Sequence, residues 1–236
     1  MGLYDRDYSR ERASYDFNSY EMERSESELV TFVKETYKLF AASMLAGSVG
    51  AYVGVGMAAA IHAVKWPIFF LEIALLIGLQ FVKHKPGINL VVMFAFTFVS
   101  GLALGPLLNM VLGMSGGSAI IGNAFLMTTV IFGSLSFFAI NTTKDFTGYG
   151  KPLMIALIVV IAGSLLNMFI FQSPIMHIMI QGAVVMLFSF MVIYDTQNII
   201  HGAYETPIDG AIALYLDFLN LFTALLQIFG ILSSDD

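Results

Sequence analysis

Seven times along its length the chain runs for 16 to 26 residues with almost no charge. The runs are Tyr37–Ile61, Pro67–Val82, Ile88–Leu112, Ser118–Ile140, Pro152–Phe171, Ile175–Ile200 and Ala211–Leu232. A hydrocarbon layer about 30 Å thick is crossed by roughly 20 apolar helical residues. Inside lipid each backbone polar group must be bonded within the protein, and a helix does this within one segment. The runs therefore predict an all-α integral membrane protein with seven transmembrane helices. The second run, with 16 residues, reaches both surfaces only if its flanking polar side chains snorkel. The stretches between runs, such as "KHKPG", "GMSGGS" and "HGAYETPIDG", carry the glycine, proline and charge of turns.

Composition agrees. Charged residues make up 12% of the chain, against about 25% in soluble domains. The mean hydropathy is +0.81. The chain has no cysteine, which excludes disulfides, thiol catalysis and thiolate metal sites. No basic patch points to nucleic acid, and nine of the seventeen acidic residues precede residue 36. Residues 1–30 are polar, mixed in charge and poor in aliphatics, which predicts a mobile tail. The seven-helix domain then occupies residues 31–236.

Basic residues flank alternate loops. Arg6, Arg10, Arg12, Arg24, Lys34 and Lys38 precede or open the first run; Lys83 and Lys85 follow the second; Lys144 and Lys151 follow the fourth. The opposite loops hold only Lys65. The positive-inside rule places the N-terminus in the cytoplasm and, after seven crossings, the final "SSDD" outside. A re-entrant last segment would return it inside. Ala46, Gly50 and Gly54 in the first run, and Gly101 and Gly105 in the third, form small-residue stripes that let helix backbones approach.

Three acidic residues fall within runs: Glu72, Asp195 and Asp217. A carboxylate at the bilayer centre costs at least about 3 kcal/mol, so such groups face the protein interior and mark pathways. Glu72 lies near one end of its run and either snorkels towards His62 and Lys65 or guards an outer ion path. Asp195 and Asp217 stand eleven residues before and after Thr206, in the turn between the last two runs. An antiparallel helix pair brings them to one depth. Asp217, Asn220, Ala224 and Gln227 form a polar or small stripe at helical spacing, which suits a last helix surrounded by the other six. Asp195 shares a face with Asn198 and Gln181.

Two carboxyls close together in low dielectric share a proton and titrate as a unit. Ionised, they attract cations. With Asn198, Asn220 and a few carbonyls they supply only part of calcium's six to eight oxygens, so any calcium site there is weak and transient. Weak binding suits passage. Two other readings stay open: each aspartate separately capped, or each paired with a lysine as structural glue. Lys83 and Lys85 lie towards the same side and are candidate counter-ions or latches, or plain interface anchors.

At these residues the chain resembles the Bax inhibitor-1 family, also called the transmembrane Bax inhibitor motif family, in its bacterial form. The resemblance is carried by "YDTQNII" (Tyr194–Ile200), "LYLDFLNLF" (Leu214–Phe222) and "SGLALGPLL" (Ser100–Leu108), and by the seven-run plan. It implies six helices around a seventh. It implies a pH-sensitive calcium leak gated by the aspartates matching Asp195 and Asp217. Asn198, Asn220, Gln227 and Glu72, read from the chain's own polar positions, are the pore-lining candidates for such a path. Calcium is then a permeant ion rather than a cofactor, and the setting is a bacterial inner membrane. The family's better-studied members carry a basic latch near the end of the second span, often an arginine. This chain offers Lys83 and Lys85 there, and lysine lacks the planar fork that holds two carboxylates. The basic C-terminal tail of animal members is also absent.

Rival readings follow from other residues. "GMSG" (Gly113–Gly116) with His177 sketches an intramembrane serine protease, but a nucleophile needs a base within hydrogen-bond reach. A retinal protein needs a lysine in the last run, and Ala211–Leu232 has none. No enzyme is expected. The alternative to the leak is a membrane regulator that binds a protease, a folding factor or a death-pathway protein.

Overall fold

The computed structural model describes residues 4–234, with side-chain surroundings from residue 25 to 233. Of the tail expected at residues 1–30, the first three residues lie outside that range and residues 4–30 form the start of a helix, with side chains described only from residue 25; Asp235 and Asp236 of "SSDD" also lie outside it. Eight α-helices follow in chain order: α1 (Tyr4–Gly56), α2 (Ala58–Ala63), α3 (Lys65–Val82), α4 (Ile88–Leu112), α5 (Gly117–Asn141), α6 (Gly150–Leu166), α7 (Pro174–Ile200) and α8 (Pro207–Ser234). A 3-10 turn (Thr147–Tyr149) precedes α6 and a π-helical turn (Asn167–Phe171) extends it. Seven segments of these are long and apolar enough to cross a membrane, among them Ser25–Gly56, Thr147–Phe171 and the full last span Pro207–Ser233. Among the described residues there is no strand. The molecule is an all-α, multi-pass membrane protein.

The span ends expected at Leu112 and Ile200 coincide with helix ends. The first span differs. Its expected end at Ile61 overshoots a break at Met57, after which α2 starts anew. Gly54 and Gly56 precede that break, but no charge or proline stands with them, so the glycines read as part of the packing stripe rather than as a stop.

Large apolar side chains cover the outside: Tyr52, Phe81, Ile155, Val159, Phe169 and Met179 are exposed, as lipid-facing residues must be. Helices in lipid gain nothing from hiding such groups against one another, so they associate through close packing and polar contacts. The tightest pair is α1 against α4. A Cβ built on Gly101 would lie 2.0 Å from the Gly47 carbonyl oxygen, and one on Gly50 2.1 Å from that of Phe98. The facing stripe on α1 is therefore Gly47, Gly50 and Gly54. Ala46, placed in the stripe from its four-residue spacing, is displaced by its neighbour Gly47, because the contact rows follow a three-then-four spacing. Pro106 lacks the N–H that would bond back to Leu102, and the Leu102 carbonyl packs on Gly54.

The last span is the most enclosed of the seven. α8 packs directly against α1, α4, α5 and α7, while α6 reaches the bundle through α7. Near the turn, Leu79 of α3 joins Ile208 and Ile212 of α8 in a second buried cluster. The core contacts of α8 include Val111, Leu187, Val192, Leu214, Leu221 and Leu226. Phe132 stacks on Phe40 at 5.3 Å and meets Phe218 edge-on at 5.6 Å.

Two buried amides staple the irregular segments. The Asn167 side chain accepts from Ser173 N (3.0 Å) and donates to Ser173 O (3.2 Å), closing the sharp link into α7. The Gln197 side chain accepts from Phe146 N (2.6 Å) and donates to Lys144 O (2.8 Å) and Ala139 O (3.3 Å). It holds the α5–α6 loop against α7. Gln197→Leu keeps the bulk but strands three backbone groups, each costing about 1–3 kcal/mol when buried. The expected result is a large drop in melting temperature in detergent; an unchanged value would remove the staple.

Candidate functional site: a buried carboxyl pair under the last turn

The three stretches that stood out in the sequence meet here. The first, "SGLALGPLL" on α4, supplies the glycine face and Ser100. Its hydroxyl and that of Tyr215, from the second stretch on α8, lie 2.6 Å apart, and Tyr215 also donates to the Thr97 carbonyl at 3.0 Å. The third, "YDTQNII" on α7, presents Asp195 to α8, Thr196 to Ser136 of α5 (3.3 Å), and Gln197 to the loop beyond. Tyr194 rests on Gly150, where a Cβ would stand 2.6 Å from its hydroxyl oxygen.

Asp195 and Asp217 are both buried, 3% and 1% exposed. Their carboxyls lie side by side, near enough to share a proton. Their other surroundings differ. Asp195 Oδ1 accepts a 2.6 Å hydrogen bond from the Tyr204 hydroxyl. Neither Oδ atom of Asp217 receives a hydrogen bond from a donor among the described residues. A buried carboxylate left this way is costly. Two facing carboxylates have no hydrogen between them, so a bond across the pair requires that one be protonated.

Tyr204 belongs to the turn between α7 and α8. Burial first, and then the neighbouring Asp195, hold its hydroxyl above the ordinary tyrosine range, so it remains a donor. The turn is fixed at its other end by a reciprocal cap. Thr206 Oγ1 donates to Asp209 Oδ2 (2.9 Å), and Asp209 N donates to Thr206 Oγ1 (3.3 Å).

The lysines are not on the pair. Lys83 Nζ sits 2.8 Å from Glu205 Oε2 and 3.4 Å from Asp209 Oδ2, and His84 Nε2 lies 3.4 Å from the same Glu205 oxygen. Lys85 is exposed. In this state Lys83 does not latch the pair but clasps the turn beside it, because Glu205 and Asp209 stand nearer the end of α3 than the buried aspartates do. The hydrogen bond and charge of Lys83 hold Glu205 below the usual carboxylate range, and Glu205 in turn holds Lys83 above its own. A depressed carboxylate contributes stability above its unfolded value and loses it as pH falls through its folded one. Glu205→Gln should thus lower the melting temperature slightly near neutral pH and not at strongly acid pH. Glu205 is exposed while Lys83 is largely covered, so high salt should shrink the difference in part. Melting curves across pH and salt check this, and a salt-independent difference would contradict it.

The pore-lining candidates are scattered. Asn198 is buried on α7. Asn220 donates back to the Leu216 carbonyl at 2.7 Å, one turn away on its own helix. Gln227 lies towards the opposite end of α8, where its Oε1 stands 3.0 Å from His177 Nε2 and 3.5 Å from Gln181 Nε2. His177 thus pairs with glutamine, while Ser115 lies exposed in the α4–α5 turn. Glu72 is half-buried and within electrostatic reach of Tyr215. Tyr204 and Gln197 escaped sequence reasoning. The signal for Tyr204 is its place: an aromatic hydroxyl in a short polar turn, nine residues after a buried acid. Among the described residues no group of three or more His, Asp or Glu side chains is arranged to hold a metal ion.

The family profile described as "Inhibitor of apoptosis-promoting Bax1" matches residues 29–234, nearly the whole described chain. The chain belongs to the Bax inhibitor-1 family. A Campylobacter jejuni protein is 54% identical over 97% of both chains, and a Helicobacter pylori protein 49% identical over the full length of both. The Escherichia coli protein named modulator of FtsH protease YccA is 34% identical over 67% of this chain and 73% of its own. A further Escherichia coli relative, at the same identity, is named inner membrane protein YccA. Both aspartates of this Bax inhibitor-1 protein fall inside the matched region.

Proposed function

We propose that this Bax inhibitor-1 protein is a pH-sensitive cation leak in a bacterial inner membrane, with Asp195 and Asp217 as its proton-sharing gate and calcium as the transported ion. The observation that supports the reading most is the pairing itself: two buried acids within hydrogen-bond reach of each other, with no donor to Asp217 among the described residues other than Asp195, are poorly explained as structural glue. They are well explained as groups that must exchange protons and cations. With two carboxyls and few further oxygens, a calcium ion would bind weakly and move on. On this reading the α7–α8 turn faces the cytoplasm, the side favoured by the placement of Lys83, Lys85, Lys144 and Lys151. No catalytic role is assigned to any residue. Purified protein in liposomes loaded with a calcium dye tests it. Calcium flux should appear and change with pH; its absence at every pH would sink the leak.

A second reading is favoured by one relative's name. A protein named as a modulator of FtsH protease suggests that this chain also acts on a membrane protease, through contacts that need no ion transport. Co-purification with the host's membrane protease, unaffected by Asp217→Asn, would favour it. No enrichment over a control membrane protein would count against it.

A further inference from the structure

Beside the turn, between α3 and α8, lies an open groove of about 590 Å³. Polar groups reach it from Gln80 and Lys83 of α3, from Glu205 in the turn and from Asp209 of α8. Neither Asp195 nor Asp217 lines it. Tyr204 is the residue that belongs to both: it lines the groove and donates to Asp195. Its hydroxyl covers one oxygen of the pair, while the Asp217 oxygens are enclosed with no donor other than Asp195 among the described residues.

We propose that Tyr204 is the stopper of the carboxyl pair, a positioning residue that seals it from the groove and must swing away before a cation or water reaches the aspartates. The proposal rests on the leak reading for its purpose but not for its geometry. The titratable groups facing Tyr204 are Asp195 and Tyr194 of α7 and Asp217 of α8. Around the groove stand Lys83 of α3, Glu205 and Asp209. Two contacts set how firmly the stopper is held. One is the 2.6 Å bond to Asp195. The other is the Lys83–Glu205 clasp on the next residue, which ties the same turn to α3. A neutral Asp195 is a poorer acceptor than an ionised one, so protonation of the pair loosens the first contact. Displacement then exchanges one O–H donor for a hydrated cation or water at the same oxygen.

The full chain in nanodiscs, exposed to a water-soluble carbodiimide with an amine nucleophile, gives a readout independent of transport. Asp195 and Asp217 should be protected in the wild type. Tyr204→Ala should raise their labelling, read by peptide mass spectrometry, about tenfold. That is the factor for about 1.5 kcal/mol, the low end of what a hydrogen bond to a charged group is worth. Tyr204→Phe keeps the ring and removes only the donor. It should fold normally, label to an intermediate extent and shift the pH midpoint of calcium flux in liposomes. Increased labelling without flux in any variant would keep the stopper and discard the leak. Wild-type flux that depends on pH and on Asp217, with labelling and pH profile unchanged in both Tyr204 variants, would overturn the stopper and keep the leak.

Discussion

Asp217→Asn should flatten the pH dependence of calcium flux while making the protein more stable near pH 8. The two effects have one cause. Two adjacent carboxyls repel when both are ionised: at 4 Å and an effective dielectric of 20 the interaction is about 4 kcal/mol. That separates the loss of the two protons into distinct steps belonging to the pair. Asparagine removes one charge and supplies an N–H donor to Asp195. The remaining acid then titrates alone, and no shared proton is left to sense. Losing a buried carboxylate that, once both acids are ionised, has no donor among the described residues should stabilise the fold by about 1–3 kcal/mol. Asp195→Asn should flatten the profile as well, yet stabilise less, because Asp195 already has the Tyr204 bond. Flux profiles that coincide for wild type, Asp195→Asn and Asp217→Asn would remove the pair from the gate.

Gly101→Leu should disrupt the membrane domain. No side chain fits where a Cβ would approach the Gly47 carbonyl oxygen to 2.0 Å, with the Gly47 Cα at 2.9 Å. The obstacle is backbone, which cannot rotate aside, so α1 and α4 would have to separate along their contact. Overpacking in a tight core costs typically 1–3 kcal/mol even where side chains can yield. Here the expected loss is at the top of that range or above it, seen as aggregation or a strongly lowered melting temperature in detergent. Gly163→Ala is the control. Nothing lies within 4 Å of a Cβ there, and alanine favours helix over glycine by up to about 1 kcal/mol. Equal behaviour of the two variants would contradict the close approach.

Much of the fold was legible because lipid demands long uninterrupted apolar helices, and turns must carry the residues that end them. α4 and α7 end at Leu112 and Ile200 beside glycine and histidine that sequence can read. The break at Met57 was missed although Gly56 stands beside it, because Gly50 and Gly54 just before it had already been assigned to helix packing and no charge or proline follows at once. The aspartates' common depth follows from equal counts on either side of one turn. Their unequal bonding does not, because it depends on where the turn places Tyr204. The lysines mislead for a similar reason: charge shows which end of a helix they occupy, but not that Glu205 intercepts Lys83 at 2.8 Å. Gln197 looked like part of a motif and proves to hold a loop, a role set by carbonyls some fifty residues away in sequence.

The depth of the pair has an electrical side. Asp217 lies ten residues into α8 from Pro207, roughly 15 Å of helix, with roughly 25 Å still to run to Ser234 at 1.5 Å per residue. A charge resting at the pair has therefore crossed the smaller part of the membrane field when it comes from the turn, and the larger part when it comes from the other face. At about 2.3 kcal/mol per charge for each 100 mV across the whole membrane, a divalent ion feels that asymmetry twice over. On the proposed leak reading, currents through the pair should rectify, with voltage acting mainly on the step between the pair and the face away from the turn.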